Sequence, residues 1–100
     1  MDTVLSINLI VTNPKVRGGR PCIAGTTIEV STIAIAKIVH MQSPDEIAVS
    51  YGLSLAQVYS ALAYYYDHKA EIDEQIAAQD AIAEAFREKR VGSRHSPLFG

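Results

Sequence analysis

Cys22 is the single cysteine of the 100-residue chain, and its thiol is the obvious candidate nucleophile. It follows Pro21 and stands near Arg20, a setting in which a thiol pKa can fall. No His with Asp or Asn companions accompanies it, so it reads as a small buried core residue. A lone cysteine makes neither an internal disulfide nor a cysteine-cluster metal site. His40, His68 and His95 fall at no metal-ligand spacing, so neither a metal nor a cofactor is expected. Asp45 and Glu46 suit a helix N-terminus better than acid–base catalysis. Asp67, Glu71 and Glu74 share a face only if one helix runs through them, and there they would be a solvated face. The stretch from Arg17 to Ile28 is rich in glycine and could cradle an anion with its backbone amides. It lacks both the P-loop pattern and the dinucleotide-binding spacing. It reads instead as a turn that lays Cys22-Ile23 and Ile28–Val30 onto a core. No catalytic residues are assigned, and the chain is read as non-enzymatic.

The elements that would position these residues follow from pattern. Val4–Val11 is rich in β-branched and aliphatic residues and predicts one short strand. Asn13-Pro14 is a turn signal, and Cys22-Ile23 is expected to form a second short strand pairing with the first. A helix starting at Val30 or Ser31 and running to about Met41 is apolar almost all round, which predicts deep burial. Ser43-Pro44-Asp45-Glu46 is a capping box with proline in the first turn, and Gly52 stands where a left-handed helix terminator is wanted. Ser54-Leu55-Ala56-Gln57 repeats the capping box, and Leu55, Val58, Tyr59, Leu62 and Tyr65 or Tyr66 recur at helical spacing. Two helices joined by a tight turn give a helix-turn-helix outline. Asp67 either caps a fourth helix or lies within a continuing third. Residues 71–89 contain no Gly or Pro and predict a helix, in which Ile72, Ile76, Ala83 and Phe86 form a stripe. That stripe packs either on its own domain or on a partner. The fold class expected is mostly α: a helix-turn-helix core with a short β element over residues 1–67, a long C-terminal helix over 68–90, and a flexible tail over 91–100.

Composition and charge restrict the function. Hydrophobic residues make up 48% and charged residues 20%, a globular composition. No apolar run is long enough to span a membrane, and Met1-Asp2-Thr3-Val4-Leu5 does not read as a secretory leader, so a cytoplasmic location is expected. The net charge is −2, unevenly spread. Residues 1–42 sum to +2, residues 43–75 to −5 and residues 76–100 to +1. The expected recognition helix, Leu55 to Tyr66, contains no Lys or Arg. Its outward candidates are Ser54, Gln57, Ser60, Ala61 and Tyr64, where Gln could pair with adenine and Ser with phosphate. Arg17, Arg20 and Lys37 would have to supply the phosphate contacts, doubled in a homodimer. The Tyr64-Tyr65-Tyr66 run points in three directions, so at least one ring must lie near the surface.

Gly18-Gly19-Arg20-Pro21-Cys22-Ile23-Ala24-Gly25-Thr26, then Ile28, Val30 and Ser31–Ile33, then Ser43–Ile47, Leu53–Leu55, Ala61–His68 and Glu71–Asp73 together resemble the domain-of-unknown-function family four-three-three. The match covers about sixty residues in one register. It departs at Thr27, where the family pattern carries a basic residue, which implies one lost cationic contact. The resemblance implies a homeodomain-like helical domain behind a β element. It also implies an antitoxin-type role beside a nuclease-like toxin, with operator DNA as a possible second ligand. In that role the C-terminal segment would cap the toxin through Ile76, Phe86, Arg87, Arg90 and Arg94, whose cations suit an acidic metal-binding nuclease site. The alternative is a protein-interaction or dimerisation module without DNA contact.

Overall fold

The computed structural model describes residues 1–78. It is mostly α. Strands β1 (Ile10–Val11) and β2 (Cys22–Ile23) precede helices α1 (Val30–Ile38), α2 (Pro44–Tyr51), α3 (Leu55–Asp67) and α4 (Lys69–Ala77). β1 and β2 pair antiparallel, Ile10 opposite Ile23 and Val11 opposite Cys22. The outer side of β2 is bridged to Glu29, and the Ile23 amide donates to the Ile28 carbonyl at 2.9 Å. The Val4–Val11 strand is therefore cut to its last two residues. Val4, Leu5 and Ile7 are exposed, because strand propensity without a neighbouring ladder does not make a strand.

None of the nine residues of α1 is fully exposed. Val30, Ile33, Ala34 and Ala36 are buried, and α2, α3 and α4 all pack against the helix. It ends at Ile38, short of Met41. Met41 adopts a left-handed conformation at φ 57°, and the Gln42 amide donates to the Ala36 carbonyl at 3.1 Å. The chain thus leaves α1 through a left-handed residue that is not glycine.

α2 and α3 begin with reciprocal capping. The Ser43 Oγ accepts from the Glu46 amide and Glu46 Oε1 accepts from the Ser43 amide, at 3.2 and 2.7 Å. Ser54 and Gln57 repeat the pattern at 3.1 and 2.8 Å. Gly52, at φ 66°, ends α2 in the left-handed region. The helix-turn-helix outline is thus closed by short-range hydrogen bonds before any core contact is counted.

The third helix does not continue through Asp67. The break falls at His68 (φ −128°, ψ 43°), and α4 sets off without a side-chain cap. Ile72 and Ile76 of α4 are fully buried in the cluster formed by Ile33, Ile47, Val58, Leu62 and Tyr65. Tyr65 Oη donates to Asp73 at 2.9 Å, which ties α3 to α4. The division placed after Asp67 therefore lies between two helices of one core, and the long C-terminal helix is described only over Lys69–Ala77. No helix among the described residues is long and apolar enough to cross a membrane.

Truncating Ile76 leaves a cavity as well as losing transfer energy, so Ile76→Ala should cost about 2–5 kcal/mol in urea denaturation. Tyr66→Ala, at an exposed position one residue past Tyr65, should stay within about 0.5 kcal/mol. Equal losses at the two positions would remove α4 from the core.

Candidate partner-binding face

Two constellations of polar and apolar side chains lie on the surface. The first is built by the glycine-rich loop. Gly18, Gly19 and Gly25 all have positive φ, and Arg17 itself sits at φ 50°. That backbone turns Arg17 and Arg20 back towards the start of α1. Arg20 forms a two-pronged pair with Glu29, from Nε at 2.9 Å and from a terminal nitrogen at 3.2 Å. Arg17 Nε donates to the Thr27 carbonyl at 3.0 Å and lies 3.9 Å from Glu29. Ser31 Oγ donates to the same carboxylate at 3.2 Å. The Glu29 side chain is only 12% exposed. The Arg20 hydrogen bond chiefly, opposed by burial, holds its carboxyl below the usual glutamate range. Cys22 lies beneath this clasp, and its thiol donates to the Arg20 carbonyl at 3.4 Å. Burial, aided by Glu29 and opposed by the two arginines, pushes the thiol pKa up. Cys22 is thus a buried, protonated thiol, the opposite of an activated nucleophile.

The second constellation is a cleft of about 740 Å³ between α3 and the chain leading into β1. Ala56, Tyr59, Ser60, Ala63, Tyr64 and Asp67 form its α3 wall, and Ile7, Asn8 and Ile10 form the other. The α3 residues follow the spacing i, i+3, i+4, i+7, i+8 and i+11, a single stripe about 16 Å long. Tyr59 is 57% exposed and Leu55, beside the stripe, 45%. Both belong to the set that recurs at helical spacing along α3, yet neither is buried. The inward positions are Val58, Ala61, Leu62 and Tyr65. Ala61 is therefore core, not outward. Of the three consecutive tyrosines, Tyr65 is buried, Tyr64 half-buried and Tyr66 exposed. Tyr64 stacks on His68 with ring centroids 4.0 Å apart. Burial, with Glu71 and Asp67 nearby, raises its phenol above the ordinary value.

These positions sort the expected DNA contacts. Ser60 and Tyr64 line the cleft, whereas Ser54 and Gln57 are committed to capping α3. Arg17 and Arg20 are engaged by Glu29 and Thr27, away from α3. Lys37 is half-buried in the last turn of α1, where the helix dipole favours a cation. Ile76, expected to meet a partner, is buried in the core. Phe86, Arg87, Arg90 and Arg94 lie outside the described residues. Among the described residues, no group of three or more His, Cys, Asp or Glu side chains could hold a metal ion. Sequence reasoning missed the arm residues Ile7 and Ile10 and the α3 residues Ala56, Tyr59 and Ala63. The spacing of the last three was the available signal, masked by their apolar type.

Among comparisons with known proteins, the family described as protein of unknown function (DUF433) matches residues 10–65. No curated protein and no solved structure gives a match.

The clasp predicts a pH dependence. Glu29 has a lowered pKa in the folded chain, so its contribution to stability is complete above about pH 4.5, the ordinary value, and is lost as pH falls through the lowered one. Glu29→Gln should lower the melting temperature at neutral pH and flatten the acid limb of the stability profile. An unchanged acid limb would assign that slope to other carboxylates.

Proposed function

The chain belongs to the DUF433 family, and on that premise we propose that it is a non-catalytic, antitoxin-type adaptor that binds a protein partner through the α3 cleft. The observation that carries this reading is the exposed, mostly apolar stripe of α3 facing an open cleft without a single cation in its lining. Exposed apolar stripes of this kind favour protein contacts. Phosphate backbones require Lys and Arg, and Arg17 and Arg20 are already drawn to Glu29. The antitoxin-type role that the family resemblance implies would make a nuclease-like toxin the partner, with the cations Arg87, Lys89, Arg90 and Arg94 suited to an acidic site on it. A cytoplasmic homodimer is the setting in which such an adaptor works.

A second reading draws support from the helix-turn-helix outline itself, in which capped α3 could lie against operator DNA. On the adaptor reading, titration with duplex DNA at several salt concentrations should give weak binding, indifferent to sequence and falling with salt. A tight, sequence-dependent complex would replace the adaptor reading.

The partner test is co-expression with the neighbouring gene product. Ala63→Arg puts a long cation on an exposed position of the cleft and leaves the core intact. It should abolish co-purification and toxin neutralisation. Replacing Arg87, Lys89, Arg90 and Arg94 by Glu should abolish neutralisation while cleft binding persists. A partner retained by Ala63→Arg at wild-type strength would move the binding face elsewhere.

A further inference from the structure

From the chemistry of the cleft, and resting on the adaptor reading above, we infer that its occupant is an amphipathic helical segment of the partner, apolar along one stripe and carrying Lys or Arg at the end that lies over Asp67. The shape argues for a helix. The α3 wall is a straight stripe of about three turns, and Ala56, Ser60 and Ala63 along it are small enough for a second helix to approach closely. Tyr59 and Tyr64 flank that floor, and Ile7 and Ile10 close the far side with apolar surface. A facing helix with apolar residues at i, i+3 or i+4 and i+7 fills such a groove.

The charge argues for the basic end. Asp67 is the charged residue of the cleft lining, and its side chain is 82% exposed. Glu71 lies one turn further on, and both carboxylates act on the Tyr64 phenol inside the cleft. Nearby cations do not cancel this field. Lys69 pairs with Asp73 at 3.1 Å. His68 Nδ1 lies 3.7 Å from Asp67 but 3.2 Å from the Tyr64 carbonyl, to which an Nδ1–H can donate. A cation gains at this end of the groove, whereas a carboxylate or phosphate is repelled.

The test is selection of random peptides of about 16 residues, long enough to hold a helix, against the full chain. Binding of the enriched peptides is then measured to the full chain and to its Ala63→Arg and Asp67→Lys variants, each first shown to melt as the parent does. The expected result is enriched apolar residues at helical spacing with Lys or Arg at one end. Binding should be lost in Ala63→Arg and weakened about three- to tenfold in Asp67→Lys, the scale of an exposed ion pair turned to repulsion. Peptides lost in Ala63→Arg but without basic ends, and indifferent to Asp67→Lys, overturn this inference and leave the adaptor reading standing. No cleft-dependent peptide from a chain that sediments as a dimer, dissociated by Ala63→Arg, assigns the groove to a second copy and overturns it too. No cleft-dependent peptide from a monomer overturns both.

Discussion

α1 is the helix around which the other three pack, and the remaining structure is arranged to cover it. Six of its nine residues are apolar, so the three other helices close around it. A chain this short has few other ways to collect a core. That demand explains why α4 is drawn back onto the domain through Ile72 and Ile76. It also explains why α1 begins at a tight fastening. The Val30 amide donates to the Pro21 carbonyl at 3.0 Å, and Glu29 takes up Arg20 and Ser31 at the same point. The glycine-rich loop is, in this arrangement, the means of bringing two arginines back to one carboxylate.

The covering of α1 leaves α3 with two unlike faces. Val58, Ala61, Leu62 and Tyr65 meet the core, and the opposite stripe is left to the cleft. Tyr65 uses both of its characters, an apolar ring in the core and a hydroxyl reaching Asp73. Its neighbours cannot do the same, because adjacent helical residues point about 100° apart. One of them is half-covered by His68 and the other stands in solvent. The tyrosine run is therefore one structural residue and two surface ones.

How far the sequence foretold this depended on the reach of each interaction. The two capping boxes and Gly52 were legible because their partners lie within four residues, and the geometry is the same wherever the motif occurs. The β1–β2 pairing was legible at Cys22-Ile23 because glycine and proline delimit the turn. Glu29 was not singled out, since its partner stands nine residues earlier, across a loop whose path no local rule gives. The arm before β1 was overread as strand, because aliphatic residues state a preference that only a neighbouring strand can satisfy. Leu55 and Tyr59 share the helical spacing of the core positions yet stay exposed for a related reason: an amphipathic helix shows which residues are apolar, not how many of them the rest of the chain can cover.

The two walls of the cleft differ in how they are held. The α3 wall is part of the packed helical unit, so altering its direction would disturb the core. The other wall is held by two β1–β2 residue pairs, by the hydrogen bond from the Ala24 amide to the Leu9 carbonyl at 2.8 Å, and by the packing of Ile10 on the core. Substitutions among the first nine residues can therefore reshape one side of the groove at little cost to folding. One wall of the groove can thus vary independently of the packing that holds the fold.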